Sequence, residues 1–353
     1  MASRKGFEPL TYGLGNRCSI LLSYRDGRFA TPAPSMIRGA GVPGFLAAPI
    51  LRRSGMRSRS PDRLPRLRPL RRRLGLAMLL GMMMAVTGAR DGRSDSGGGA
   101  ERLLGVASCD LVAGEGGVVT AVVDGDTVML DGGLEVRLVG TQAPKLPLGR
   151  DGFVAWPLAA EAKAALERLA LGKAVELRYG GTRRDRYGRA LAQLFVVEED
   201  GGETWLQEAM VGAGLARVYS FADNRQCVAA LVAAERAARH SALGLWRDPY
   251  YLIRAATDPA LAARHDSYDL VEGRVLSVGE RGPIVYLDFG LEWSTDFTVV
   301  LGGEATAALA EAGWQVGDFK GRRIRVRGWV EQRGGPSIRV THPEQIELLG
   351  GGE

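Results

Sequence analysis

The sequence predicts a mixed α+β chain in which β-structure dominates. Three observations carry this: short β-rich runs crowd residues 118–139, helical periodicity begins only afterwards, and a second group of short strands starts near residue 268. Residues 118–123 (VVTAVV) and 127–130 (TVML) flank the turn Asp124-Gly125-Asp126. Residues 134–139 (LEVRLV) alternate as a strand after the turn Asp131-Gly132-Gly133. The glycines at 114–117 read as a loop, because their spacing is wrong for a dinucleotide fingerprint and no helix follows. Residues 158–171 place apolar side chains at helical spacing and stop at Gly172. Strands 173–179 and 190–197 enclose the charged turn GGTRRDRYGR. Helices at 204–213 and 226–243 end at Gly214 and Gly244. This order implies a small closed sheet with interspersed helices.

From residue 268 the pattern is three strands (LVEGRVLSV, IVYLDFG, FTVVL), a helix (ATAALAEAG), and two strands (RRIRVRGWV, SIRV), with 334–346 as a final hairpin strand and its exit. Five short strands with a helix between the third and fourth is the order of an OB-like barrel. No internal repeat is visible.

Charge divides the chain. The net +6 arises from residues 1–90, which carry 17 Lys/Arg against 3 Asp/Glu; residues 91–353 carry 29 against 37. The folded part therefore cannot hold nucleic acid through bulk charge, and phosphate recognition must be local. Hydrophobic residues make up 46%, enough for globular cores.

A basic run at 56–73, an uncharged apolar stretch at 74–87 and the small residues Gly88 and Ala89 follow the order of a signal peptide. The apolar stretch is short for a spanning helix, so the alternatives are cleavage and an N-terminal anchor, both of which export the remainder to the periplasm or beyond. Residues 1–35 resemble the mistaken translation of a transfer-RNA gene, which places the expected start at Met56 or Met36. The expected organisation is a disordered artefactual extension at 1–55, a signal peptide or anchor at 56–89, and a linker at 90–108. A first domain at 109–250, a connector at 251–267 and an OB-like domain at 268–349 follow. Cys109 and Cys227 flank the first domain in the exported part, where a bridge would staple its entry strand to its last helix; two free thiols are the alternative.

Phosphodiester hydrolysis needs a metal or cations on the phosphoryl oxygens, a base that orients water, and a donor on the leaving side. VVDGDTVML at 122–130, EVRLVGTQAP at 135–144, RRDRYGRALA at 183–192, LQEAMVGAGLARVYSF at 206–221 and a last helix ending in GLW together resemble the staphylococcal nuclease family. The resemblance implies an OB-like five-stranded barrel with three helices, here followed by the second small barrel. It implies endonuclease-type hydrolysis of DNA or RNA with calcium. Asp126 takes the place of a calcium ligand, with the Ala143 carbonyl as a further oxygen. Arg137 and Arg189 take the places of the paired guanidiniums that grip phosphate, and Tyr219 and Phe221 those of aromatics that pack on the nucleotide.

Two positions depart from the family pattern. The second calcium carboxylate is Gln142, and the carboxylate assigned as base is Lys145. A weak calcium site is expected, because affinity follows ligand charge, and an ammonium is no general base unless strongly shifted. Two readings follow. Either Lys145 takes over part of the metal's role while Asp151 or Asp124 orients water, or hydrolysis is lost and Arg137, Lys145 and Arg189 form a pocket for nucleic acid, a nucleotide or another anion. A protein partner, with both barrels acting as an envelope scaffold, is a third. His240, His265 and His342 have no metal-ligand spacing, and neither a P-loop nor a nucleophile elbow is present. Arg323, Arg325 and Arg327 alternate along one strand face, with Trp293, Phe297 and Trp329 as candidate stacking surfaces; a solvated charged face over core aromatics is the plainer reading.

Overall fold

The computed structural model describes residues 101–105 and 108–350. The expectations for residues 1–55 and 56–89, and most of the 90–108 linker, lie outside the described residues. In chain order the elements begin with β1 (Arg102–Leu103), β2 (Val112–Asp124), β3 (Thr127–Leu130), β4 (Glu135–Leu138), β5 (Gly140–Gln142) and α1 (Ala159–Ala170). They continue with β6 (Ala174–Tyr179), β7 (Ala190–Val197), β8 (Glu203–Trp205), α2 (Leu206–Gly212), β9 (Arg217–Tyr219) and α3 (Val228–His240). The later part holds β10 (Arg254–Ala255), β11 (Tyr268–Arg274), β12 (Ser277–Arg281), β13 (Ile284–Asp288), β14 (Thr298–Leu301) and α4 (Gly303–Glu311). It ends with β15 (Arg323–Arg333), β16 (Gly335–Val340) and β17 (Ile346–Leu348).

The first sheet runs β4-β3-β2-β6-β7-β8, and β4 also pairs with β7, so five of its strands return on themselves. β5 and β9 form a separate antiparallel pair. Inside lies a core of Val119, Val128, Val136, Leu138, Leu177 and Leu194, against which α1 presses Ala162, Leu166 and Ala170. Small alanines on that face let the helix approach the Asp-Gly-Asp turn. A Cβ on Gly125 would stand 2.6 Å from the Ala143 Cβ and 2.8 Å from the Ala162 Cβ, so only glycine fits.

The second sheet, β1-β17-β15-β16-β14-β13-β12, has its own core around Leu287, Val299, Ile324, Val326 and Ile338. Two sequence readings are corrected here. The glycines at 114–117 are strand, not loop: they lie in β2, where a register shift between Ala113 and Gly116 absorbs them as an irregularity against β6. The 90–108 linker ends in structure, since β1 pairs antiparallel with β17. Within the 251–267 connector, Arg254 and Ala255 pair in parallel with β11, and a 3-10 turn spans Pro259–Arg264. Among the described residues no helix is long and apolar enough to cross a membrane.

Candidate functional site

The turn between β2 and β3 delivers two carboxylates to one place. Asp124 Oδ1 accepts from the Asp126 backbone N–H at 3.1 Å, which folds the turn on itself and aims Asp126 inward. Asp126 is fully buried. Its Oδ2 accepts from the Ala143 N–H at 2.7 Å, which pins the chain just after β5 against the turn. Thr127 pairs with Arg137 across β3 and β4, and Arg137 NH1 lies 2.8 Å from Asp126 Oδ1. The same guanidinium donates to the backbone carbonyls of Asp126, Leu138 and Thr141, the last at 2.7 Å. Arg137 therefore braces the β4–β5 corner as well as pairing with Asp126.

Lys145 completes the cluster. Its Nζ lies 2.8 Å from Asp126 Oδ1, 2.7 Å from Asp126 Oδ2 and 3.4 Å from Asp124 Oδ2. Burial raises the Asp126 carboxyl, Arg137 pulls it down and the Asp124 charge adds to the rise. Yet every side-chain nitrogen and backbone N–H around its two oxygens is a donor, so the ionised form is the one the site is built around. The Asp124 carboxyl is held below its ordinary range: burial works against this, and Lys145, Arg137 and the Asp126 N–H outweigh burial.

Arg189 reaches the same end of the sheet by another route, since Ala190 beside it pairs with Val136 of β4. Its Nε donates to Asp185 at 2.7 Å, its backbone N–H to the same carboxylate at 3.0 Å, and its NH1 lies 3.9 Å from Glu135. Burial holds the half-buried Glu135 carboxyl above its ordinary range, against the pull of Arg189 and with the charges of Asp185 and Asp124 adding to the rise.

The structure thus brings together Asp126, Arg137, Ala143 and Lys145, with Arg189 immediately before the adjoining strand β7. Gln142 is buried, pairs with Arg217 across β5 and β9, and its Oε1 has no hydrogen-bond partner. Asp151 is exposed in its turn and Asp124 belongs to the ion cluster. Of the two expected nucleotide-stacking aromatics, Phe221 is partly exposed and Tyr219 is buried. Tyr219 is buried in an aromatic cluster with Tyr268 and Trp246, edge-on to Phe221 and Tyr268 at 4.7 and 4.8 Å, and it accepts from Trp329 Nε1 at 3.1 Å. Cys109 and Cys227 form a disulfide.

The arginine face of the second sheet is also corrected. Arg325 and Arg327 are buried and face Glu101, Glu235, Glu272 and Glu347, while Phe297 is core. Trp293 alone of the three proposed stacking aromatics is largely exposed. The alternation of charge was legible in the sequence; the acidic partners lie far along the chain and were not.

Residues 135–248 match the family of staphylococcal nuclease homologues. This chain carries a staphylococcal nuclease homologue domain. The match covers Arg137, Gln142, Lys145 and Arg189 and begins after the Asp124-Gly125-Asp126 turn. A comparison with curated proteins found no match. Missed by sequence reasoning were the partners that fix the homologue's cations: Asp185, four residues before Arg189, and Glu135, two before Arg137. The spacing of Asp185 and Arg189 around a Tyr-Gly turn was a signal for the first.

Calcium does not fit the donor set present. It requires several free oxygens, with carboxylates foremost. Here both oxygens of Asp126 are engaged by an ammonium, and Asp124 faces the same ammonium. Among the described residues no group of three or more acidic, His or Cys side chains is placed to hold a metal.

Proposed function

We propose that this chain is a nuclease homologue that binds nucleic acid without cutting it by the metal-dependent route. The observation that carries this reading is Lys145 seated on Asp126: the position of the family's base is filled by a cation, and the one retained metal carboxylate is neutralised. An ammonium held by two carboxylates has no lone pair with which to take a proton from water. Arg137 is fixed to carbonyls, so it is not free to follow developing charge on a phosphoryl group.

Binding is assigned to the turn 181–189. Arg183, Arg184, Arg186 and Tyr187 are exposed there; Arg183 lies over the Tyr179 ring at 4.7 Å and Arg186 over Tyr187 at 5.0 Å. Exposed guanidiniums suit the phosphates of a single strand, and Tyr187 is the exposed ring beside them, Tyr179 being buried. A local site of this kind is what the acidic balance of residues 91–353 demands. The two small barrels read from the sequence fit this division, with the second acting as support, since Arg325 and Arg327 are paired inward. Export to an oxidising compartment agrees with the disulfide and with the basic and apolar order of 56–89.

One observation favours surviving hydrolysis: Glu135, with its raised carboxyl, stands 3.9 Å from Arg189 and is the available candidate base. Incubating the purified protein with single-stranded DNA and RNA, with calcium, magnesium or chelator, separates the readings. Binding that weakens with salt, with no cleavage in any condition, is expected. Cleavage abolished by Glu135→Gln would replace the binding reading with the enzymatic one.

A further inference from the structure

Arg217 of β9 is 2% exposed. Among the described residues its guanidinium forms no ion pair and donates no hydrogen bond; what it meets is aromatic, with the Tyr251 and Tyr268 rings each centred 5.1 Å from its central carbon. Two carboxylates close by are already taken. Glu235, which accepts from the Val218 N–H beside Arg217, is held by Arg327 and Arg239. Asp269, beside Tyr268, accepts from Arg264 on both oxygens, at 2.7 and 2.9 Å. Arg325 and Arg327 show the contrast, since each of these buried cations faces at least two carboxylates. A buried charge without a counter-charge is costly, and ring contact offsets only part of that cost. Gln142 is the register partner of Arg217, so both side chains leave the same face of the β5–β9 ladder, and its buried Oε1 has no hydrogen-bond partner either. Rings lead outward from there: Tyr251 stands edge-on to Tyr250 at 4.7 Å, Tyr250 lies 6.0 Å from Trp156, and these last two are half-buried.

We propose that Arg217 and Gln142 form a recess that binds a phosphate group with a free O–H, either inorganic phosphate or a phosphomonoester. The guanidinium requires an acceptor, and its planar fork matches two oxygens of an oxyanion. The amide oxygen requires a donor. A phosphate that keeps one O–H supplies both, whereas an ionised carboxylate, a sulfate or an internal phosphodiester supplies acceptors alone. The recess is separate from the arginine turn 181–189 and from the Asp126 centre, and it recognises a different phosphate class from the diester of a strand interior. If the phosphate is carried by a nucleotide, Tyr250 and Trp156 are the rings its base would meet.

Thermal midpoints of the wild-type protein, Arg217→Met and Gln142→Leu are measured in sodium phosphate, sodium sulfate and sodium chloride at matched ionic strength. Millimolar anion avoids salting-out, and about pH 6 keeps the O–H on a large share of the phosphate. Phosphate is expected to raise the wild-type midpoint saturably, by about 4 °C at roughly ten times the Kd, and sulfate by clearly less. Arg217→Met is expected to lose both responses, and Gln142→Leu to bring phosphate down to the level of sulfate. Should Arg217→Met not fold, Arg217→Lys keeps the charge without the fork, and calorimetric titration is expected to show phosphate bound about tenfold more weakly. Titrating the wild type with inorganic phosphate and with adenosine monophosphate identifies the source. Equal Kd values assign free phosphate, and tighter monophosphate assigns a nucleotide. The proposal is overturned if the wild-type midpoint does not distinguish phosphate from chloride, if sulfate matches phosphate, or if Arg217→Met keeps the phosphate response. A wild-type protein that binds neither single-stranded DNA nor RNA yet responds saturably to phosphate would sink the function proposed above and leave the recess standing.

Discussion

Arg327 of β15 donates a 2.8 Å hydrogen bond to Glu235 of α3, and both side chains are essentially withdrawn from solvent. The contact joins two elements 92 residues apart and ties the helix of the nuclease homologue domain to the second sheet. The same guanidinium holds Glu347 at 2.7 Å, and Arg239, Arg325 and Glu101 extend the network. Burial works against the Glu347 carboxyl, yet Arg327, Arg239 and Arg325 hold it down at about 2. Removing Arg327 leaves two buried carboxylates facing the remaining arginines. Arg327→Met is expected to destabilise the protein by about 3–5 kcal/mol, since breaking a buried pair from one side strands a charge. Equilibrium urea unfolding reads this directly. Adding Glu235→Gln to Arg327→Met should recover part of the loss, and a loss below about 1 kcal/mol for the single variant would show that the network is not load-sharing.

The disulfide makes a separate prediction. Cys109 and Cys227 close a loop with a sequence separation of 118. Joining ends so far apart restricts the unfolded chain, and the chain-entropy relation gives about 4–5 kcal/mol for a loop of that length. Replacing both cysteines with alanine is therefore expected to lower unfolding free energy by roughly 2–5 kcal/mol, because measured values commonly fall short of the relation. The loss should appear equally in the wild type under reductant. Unchanged stability in both would mean that the bridge does not form in the isolated protein.

How much of this was legible in the sequence follows from the range of the interactions. Elements set by local periodicity stand nearly where expected: 190–197 is β7, and α1 lies within 158–171. The Asp126, Arg137 and Lys145 positions came from the resemblance to the nuclease family, and the register Thr127 to Arg137 puts two of them side by side. What spacing could not supply was the direction of charge. Arg137 and Arg189 read as cations awaiting phosphate, and Arg325 and Arg327 as a solvated face or a nucleic-acid surface; each is paired with an internal carboxylate. Glu101 and Glu347, at opposite ends of the described chain, meet the same arginines only because β1 pairs with β17. The burial of Tyr219 was beyond local reading for the same reason: the ring packed edge-on against it, Tyr268, belongs to the other sheet.

The turn 181–189 predicts a salt dependence. If Arg183 and Arg186 each contact one phosphate, replacing either with Gln should reduce the slope of log affinity against log salt by about 0.7, the single-strand value per released counterion. Arg184 pairs with Glu115 at 2.9 Å and should contribute less. Fluorescence anisotropy with a labelled oligonucleotide between low and moderate salt measures this. Slopes unchanged in Arg183→Gln and Arg186→Gln alike would move the nucleic-acid interface elsewhere.

The last prediction concerns acid. His342 is buried, with Nε2 at 2.7 Å from Ser220 Oγ and Nδ1 at 2.9 Å from Thr341 Oγ1. Burial, and after it the charges of Arg225 and Arg327, lower its pKa to about 3 from an ordinary 6.5. The folded state thus refuses a proton that the unfolded chain accepts. The His342 contribution to stability is complete above pH 6.5 and is lost as pH falls from there toward about 3. Glu347 acts in the same direction over a lower window: its folded pKa of about 2 lies below the ordinary 4.5, so its contribution is complete above pH 4.5 and lost beneath it. Unfolding free energy should therefore fall below pH 6.5 by up to about 1.4 kcal/mol per pH unit, and more steeply below 4.5. His342→Gln keeps a group able to bond Ser220 and cannot titrate. Urea unfolding from pH 8 to pH 5 should be sloped in the wild type and nearly flat in the variant; a variant that keeps the slope would assign it to another group.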